Sequence, residues 1–192
     1  MIDRATLSKR RARLGRTAAE LARKDRMRGG VRAAYDPLKP EVFSVALDTR
    51  EQIVGPIPLA IPVVVKALPM GDISVVGFED RIAIDRKQIG DFIGCVTHEK
   101  DRFFRLVKRM SAELDFAAVV VESSHADVRA KKYRADVEPG FVFSAAAAIT
   151  TRYGVPVFFC GSLEASTDFA LRLLRGWWRD RGLRPELRGP NG

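Results

Sequence analysis

The sequence predicts an α/β protein in which a mixed central sheet is flanked by helices and preceded by a basic N-terminal helical arm. Short apolar runs of strand length recur between residues 43 and 159. Segments with apolar residues at helical spacing alternate with the later runs. The early runs follow one another as a meander, which favours a mixed sheet over a wholly parallel one. With 192 residues, 46% of them apolar, the chain can form one compact domain plus an arm or tail.

Six segments are predicted to be strands, and the sequence around them restricts how some of them pair. They are residues 43–47, 61–66, 73–76, 81–85, 116–121 and 155–159. Pro62 lacks a backbone N–H, which confines the second segment to a sheet edge or to a strand start. The third and fourth segments flank the turn-like residues 77–80 and therefore predict a β-hairpin.

Three longer segments are predicted to be helices because their apolar residues recur at helical spacing. They are residues 89–110, 139–154 and 163–181. Pro139 and Gly140 introduce the second helix, and Gly154 ends it. Adjacent helical positions point about 100° apart, so at most one of Trp177 and Trp178 could face a ligand, and core packing or a dimer contact is favoured over base stacking.

The positive charge is concentrated at the N-terminus. The formal net charge is +9, and residues 1–34 carry 11 Lys and Arg against three acidic residues. We therefore divide the chain into a basic arm and linker (1–40), a folded domain (41–181) and a polar tail (182–192). The arm could contact nucleic-acid phosphates, or it could be a solvated basic helix.

Several protein classes are excluded by what the sequence lacks. Cys95 and Cys160 lie far apart without a CxxC pair, which argues against a zinc site or a disulfide framework and favours packing. No apolar run has the length of a membrane span, and the charged N-terminus has no signal-peptide core. We expect a soluble, cytoplasmic protein. His98 and His125 have no partners at ligand spacing and are predicted to be surface or helix-cap residues.

Acidic and basic residues cluster at the predicted strand ends, at residues 48–51, 71–72, 85–87 and 91. Alternation along a strand places Asp85 and Lys87 on one face, about 7 Å apart. Asp72 can meet Asp85 if the two strands form the predicted hairpin. Carboxylates that hold a hard divalent cation, beside a lysine, suit metal-assisted phosphodiester hydrolysis. Alone, the pattern also fits a solvated strand end. The basic segment 129–134 could likewise be a phosphate-contacting loop or a solvated helix face.

The order and spacing of these residues resemble a known nuclease family. Gly71-Asp72, twelve residues, Asp85-Arg86-Lys87, three residues and Asp91 resemble the GDx(n)ERKx(3)D motif of XPF-type structure-specific endonucleases, which belong to the PD-(D/E)xK superfamily. Further matches in order are residues 47–51 (D-x-R-E), 92–94 with 101–103, and the apolar run that ends at Glu122. Several ordered matches are more specific than the single motif.

The resemblance implies a restriction-endonuclease-like fold and assigns roles to individual residues. Asp72 and Asp85 would be metal ligands supported by Asp48, and Lys87 would be the catalytic lysine. The residues implied to support the site or to contact DNA are Arg50, Glu51, Arg86, Asp91 and Arg102. The implied cofactor is Mg²⁺ or Mn²⁺. The implied substrate is branched DNA, such as a fork, a flap or a crossover, with a role in DNA repair or recombination.

The sequence departs from the family pattern in two places. Position 85 is Asp where the family motif usually has the longer Glu. About 30 residues follow the last predicted strand, which is too few for the tandem helix-hairpin-helix modules that family members commonly carry. The basic arm could replace them in gripping DNA, and the chain could act as a homodimer or a heterodimer. Two alternatives stay open: a non-catalytic DNA-binding subunit with a nuclease fold, and a basic RNA- or protein-binding protein in which the motif is accidental.

Overall fold

The computed structural model describes residues 43–51 and 55–180, and all structural statements concern these residues. The predicted arm and tail, residues 1–40 and 182–192, lie outside them. No helix in the described ranges is long and apolar enough to cross a membrane.

A six-stranded mixed sheet forms the centre of the fold, as predicted, in the order β2-β1-β3-β4-β5-β6. The strands are β1 (Val45–Leu47), β2 (Val63–Val65), β3 (Ile73–Val75), β4 (Ile82–Gln88), β5 (Phe116–Glu122) and β6 (Val157–Phe159). β3 pairs antiparallel with both β1 and β4, which confirms the predicted hairpin. The pairs β1–β2, β4–β5 and β5–β6 are parallel. β2 lies at a sheet edge, as Pro62 indicated.

Five α-helices and one π-helical turn complete the described fold. They are α1 (Ile89–Val96), α2 (Lys100–Glu113), α3 (His125–Arg129), α4 (Pro139–Ala148), π1 (Ile149–Tyr153) and α5 (Leu163–Asp180). The predicted helical stretch 89–110 is interrupted after α1, where the Thr97 hydroxyl donates to the Ile93 carbonyl at 2.7 Å. The Thr97 and Glu99 amides both donate to the Gly94 carbonyl, at 3.2 and 3.0 Å, so the backbone leaves the α-helical pattern here before α2 begins. The short helix α3 was not predicted; its first turn is capped by Ser124, which accepts a hydrogen bond from the Asp127 amide.

The sheet is covered on both faces, which explains why β5 reads as an almost uninterrupted apolar run. Ala117, Val119 and Val121 face the core under α1, α2 and α4. Ala118 and Val120 face a second core under α5.

Trp177 and Trp178 are both buried in the second core, which confirms the packing interpretation. The Trp177 ring lies 5.6 Å from that of Phe78, and the Trp178 ring lies 5.7 Å from that of Phe43. These contacts hold the C-terminal helix α5 against the sheet.

Gly71 makes the turn into β3 and has no room for a side chain. Its φ of +70° lies in the left-handed region, and a Cβ atom there would meet the Ala83 Cβ and the Ile84 carbonyl oxygen, each at 3.0 Å. The turn therefore brings the chain against β4 immediately before Asp72.

We expect Gly71→Ala to lower the free energy of unfolding by about 1–3 kcal/mol, because the substitution adds both backbone strain and overlap. Urea unfolding followed by circular dichroism measures the change. Gly176→Ala is the matched control, since a Cβ at this position in α5 meets nothing within 4 Å. It should leave stability unchanged or raise it by up to about 1 kcal/mol. Equal stabilities of the two variants would contradict the strain argument.

Candidate active site at the end of the central strand

The C-terminal end of β4 places a carboxylate and a lysine side by side. Alternation along the strand sends Asp85 and Lys87 to the same face, as predicted, and Lys87 Nζ donates to Asp85 Oδ1 at 2.8 Å. Asp85 is almost fully buried, and the Lys87 side chain is about one-fifth exposed. The pair therefore lies at the boundary between core and solvent, where the lysine head is accessible.

The β3–β4 hairpin brings Asp72 to the same place. The Asp72 amide donates to the Ile84 carbonyl at 2.9 Å, and Asp72 Oδ2 accepts from the Arg86 amide at 2.7 Å. Lys87 Nζ lies 4.0 Å from Asp72 Oδ2. Asp72 and Asp85 thus both lie beside Lys87, as expected if the two strands form the predicted hairpin.

The charges of this cluster shift one another's protonation. Burial, together with the neighbouring charge of Asp85, raises the pKa of Asp72 to about 7. Burial alone would lower the pKa of Lys87, but the charges of Asp85 and Asp72 outweigh it and raise that pKa above its usual value. Lys87 is therefore a cation at neutral pH, while Asp72 lies close to its titration point.

The donor set fits a hard divalent cation. Asp85 Oδ2 is buried without a hydrogen-bond partner among the described residues, which is costly unless a ligand occupies its lone pairs. Within the described ranges, no cluster of three or more His, Cys, Asp or Glu side chains is arranged to hold a metal. Two carboxylates are nevertheless what Mg²⁺ commonly takes from a protein, since it keeps waters and phosphate oxygens as its other ligands.

Asp48 lies next to this cluster, but both of its oxygens already have partners. Oδ1 accepts from the Arg50 amide at 2.8 Å and from Arg50 Nε at 2.6 Å, while Oδ2 accepts from the Leu68 amide at 2.7 Å. The hydrogen bonds from Arg50 hold the pKa of Asp48 well below its usual range despite burial. Its backbone amide donates to the Asp72 carbonyl at 2.9 Å. Asp48 thus supports Asp72 through a backbone hydrogen bond. The role of the Asp48 carboxylate as a third metal ligand stays a prediction.

Arg86 points to the opposite face of β4, into a buried ion-pair network. Its guanidinium donates to Glu51 Oε1 at 2.5 Å and pairs with Glu122 at the end of β5. All three side chains are nearly buried. Glu122 was not among the predicted site residues, although the apolar run that ends in a carboxylate was its signal. The network joins the loop after β1 to the ends of β4 and β5.

Asp91 and Arg102 are exposed residues of α1 and α2. Arg102 Nη1 lies 3.5 Å from Glu99. Within the described part of the chain, no hydrogen bond or ion pair connects either residue to the carboxylates or the lysine of the cluster. Their implied contacts with DNA stay predictions.

The residues set aside in the sequence behave as ordinary structural or surface groups. Cys95 and Cys160 are partly buried, pack against the two cores, and have raised pKa values because of burial. In the basic segment 129–134, Lys131 pairs with Glu138 and Lys132 with Asp127. These two lysines are therefore paired with carboxylates nearby in the chain. This favours a solvated helix face over a phosphate-contacting loop at these two positions.

Comparison with known proteins agrees with the motif. Residues 47–173 match the model of the ERCC4 domain family. The fold is similar to XPF from Aeropyrum pernix, with a TM-score of 0.57 and 25% identity over 72% of this chain and 63% of that one. It is also similar to the structure of XPF from Aeropyrum pernix in complex with DNA, with a TM-score of 0.54 and 22% identity over 77% of this chain and 68% of that one. The chain thus spans less than two thirds of the first structure. A search of the curated proteins gives no match.

The raised pKa of Asp72 predicts how stability depends on pH when no metal is bound. Between about pH 4 and pH 7 the folded chain holds a proton on Asp72 that the unfolded chain has lost, so this residue makes folding less favourable as the pH rises. Asp72→Asn removes the titration but keeps an acceptor for the Arg86 amide. We expect the variant to gain stability relative to wild type from pH 5 to pH 7, by at most about 1.4 kcal/mol per pH unit, and to gain little more above pH 7.

Urea unfolding in a chelator across this pH range measures the difference. Asp168→Asn, on the exposed face of α5, is the matched control and should run parallel to wild type. If the Asp72→Asn profile also ran parallel to wild type, Asp72 would have an ordinary pKa.

Proposed function

Because the chain belongs to the ERCC4 domain family, we propose that it is a metal-dependent endodeoxyribonuclease that hydrolyses phosphodiester bonds, preferably in branched DNA. The observation that carries this proposal is the convergence of Asp72, Asp85 and Lys87, in which one buried carboxylate oxygen lacks a partner among the described residues. A degenerate, non-catalytic nuclease fold would have no need to retain all three groups together.

Each residue of the cluster has a distinct role in the proposed reaction. Asp72 and Asp85 would hold Mg²⁺ or Mn²⁺, which when bound activates water and offsets phosphate charge. Lys87 is protonated at neutral pH and can donate to the negative charge that develops on the phosphate oxygens. Arg86, Glu51 and Glu122 act at a distance, by fixing the strand that carries the lysine. Asp48 and Arg50 fix the loop beside Asp72.

DNA as the substrate class agrees with the charge of the whole chain. XPF from Aeropyrum pernix, which is similar in fold, has been solved in complex with DNA. Residues 1–34 hold almost the whole positive excess of this chain. We propose the division into a DNA-gripping arm (1–40), a nuclease domain (41–181) and a tail (182–192). Phosphate contacts made by the arm would add affinity without sequence preference.

The catalytic assignment predicts which substitutions abolish cleavage. With Mg²⁺ or Mn²⁺, wild type should nick labelled fork, flap or crossover DNA in preference to linear duplex. Asp72→Asn and Lys87→Ala should lower the rate constant at least about 100-fold, because each removes a group that acts on the reacting phosphate. Single-turnover cleavage, resolved on denaturing gels, measures the effect, and excess EDTA should stop it.

Matched controls exclude a general effect of lost charge. Lys108→Ala on the exposed face of α2 and Asp168→Asn on α5 should cut at the wild-type rate. If wild type bound DNA but cut none of the substrates, a non-catalytic DNA-binding subunit would replace the proposed enzyme. If it neither bound nor cut DNA, the DNA-processing proposal would be wrong as a whole.

The arm predicts a salt-dependent component of binding. Replacing Lys9, Arg10, Arg11 and Arg13 together by Gln should weaken binding to every DNA substrate about equally. It should also reduce the slope of log affinity against log salt by up to about 0.9 for each lost phosphate contact. Fluorescence anisotropy from 50 to 200 mM salt measures both quantities. An unchanged slope would show that these four residues make no contact with DNA phosphates, and the arm would not be a DNA grip.

A further inference from the structure

A partly apolar groove of about 420 Å³ lies between α3, the α4–π1 segment and β6. Its lining residues are His125, Arg129, Phe143, Ala146, Ala147, Thr150, Thr151, Val157 and Phe159. The volume falls within the range typical of small-molecule sites. The carboxylate-lysine cluster uses none of these residues.

Aromatic rings form one wall of the groove. The His125 and Phe143 rings are stacked 5.0 Å apart at 8°, and Phe159 meets both edgewise at 4.9 and 5.6 Å. Ala146 and Ala147 leave space beside the rings because their side chains are small. His125 is exposed and the two phenylalanines are half-buried, so the wall offers ring surface to solvent against which the π face of any nucleobase can pack.

The rim of the groove supplies polar groups that suit a nucleotide. Arg129 is exposed, and no described carboxylate pairs with it, in contrast to Lys131 and Lys132 in the same segment. The hydroxyls of Thr150 and Thr151 donate to helix carbonyls at 3.0 and 2.8 Å. The Thr150 oxygen also accepts from the Val157 amide at 3.3 Å, so Thr151 has the more open lone pairs to accept a further hydrogen bond. Both threonines lie on π1, and π-helical turns are frequent at functional sites.

The sheet register fixes where the groove lies relative to the proposed active site. Lys87 of β4 pairs with Val121 of β5, which pairs with Phe159 of β6. The three residues form one row across parallel strands, and the lysine and phenylalanine are two strand spacings apart, about 10 Å between Cα atoms. Stacked nucleotides advance about 3.4 Å along a DNA strand, so a base in the groove would lie about three nucleotides from a phosphate bound at Lys87.

We infer that this groove binds an unpaired nucleotide of the DNA substrate, with its base against the His125–Phe143 wall and its phosphate near Arg129. A base in a duplex is stacked on its neighbours and cannot enter such a groove, whereas a base in a single-stranded arm can. The inference rests on the proposed function and deepens it, because it explains a preference for DNA with a single-stranded segment next to the cut.

Binding in EDTA tests the groove separately from catalysis. We expect His125→Ala to weaken binding of a fork with single-stranded arms about tenfold, while binding of a linear duplex of equal length is unchanged. Arg129→Ala should weaken fork binding and reduce its salt slope by about one. Phe141→Ala is the matched control, because this exposed aromatic residue of α4 does not line the groove, and it should bind both DNAs as wild type does.

An abasic scan locates the contact. One abasic site at a time is placed in the single-stranded arm, within five nucleotides of the junction. Wild type should lose fork affinity at one or two positions, and His125→Ala should lose nothing further at those positions, since the stacking partner is already gone.

Three results would overturn the inference. His125→Ala could bind forks as tightly as the Phe141→Ala control, or it could lose fork and duplex affinity equally. The variant could instead change the oligomeric state in light scattering with DNA binding intact, which would make the groove an interface between copies of the chain. If wild type cut branched DNA while any of these held, only the inference would fail. If wild type neither bound nor cut DNA, the proposed function would fail with it.

Discussion

Three consecutive charged residues lie at the buried end of the central strand, and the arrangement around them follows from the need to pair each charge. Asp85 and Arg86 are less than 10% exposed, and the Lys87 side chain is about one-fifth exposed. An unpaired charge there would cost several kcal/mol of stability. Alternation divides the three between the two faces of the sheet, so partners are required on both. Glu51 and Glu122 form ion pairs with Arg86, while Asp72 and Asp85 form ion pairs with Lys87.

This pairing leaves the lysine face with more negative than positive charge. Asp72 and Asp85 both pair with the ammonium group of Lys87. The sheet holds both residues in place, so the two carboxylates cannot move apart to relieve their repulsion. Burial and, after it, this repulsion raise the pKa of Asp72, and Asp85 Oδ2 lacks a hydrogen-bond partner among the described residues. A divalent cation bound here would relieve both at once, because it would neutralise the excess charge and occupy the free lone pairs. The same crowding that weakens the unliganded fold thus favours metal binding.

Local sequence signals specified most of the sheet and the common face of Asp85 and Lys87, because alternation and hairpin spacing act over a few residues. The structure confirms the hairpin, the edge position of β2 and the common face of Asp85 and Lys87. Contacts between distant segments could not be predicted in this way. Asp48 accepts a hydrogen bond from the amide of Leu68, which lies in a loop twenty residues along the chain. The ion pair between Arg86 and Glu122 depends on the register of β4 against β5. Helix α1 ends before Thr97, where neither Gly nor Pro signals the end in the sequence.

The proposed active site and the groove are connected through buried aromatic packing. The Phe92 ring of α1, the helix that continues directly from β4, lies 6.1 Å from that of Phe159, which in turn contacts His125 and Phe143. Phe92 is fully buried, so this ring cannot shift without opening the core, whereas Phe159 and Phe143 are half-buried and His125 is exposed. If the phosphate and the base bind as inferred, the separation between them would follow from the sheet register that connects Lys87 with Phe159. In that case the cut would fall at a constant number of nucleotides from the unpaired base, whatever the sequence of the DNA.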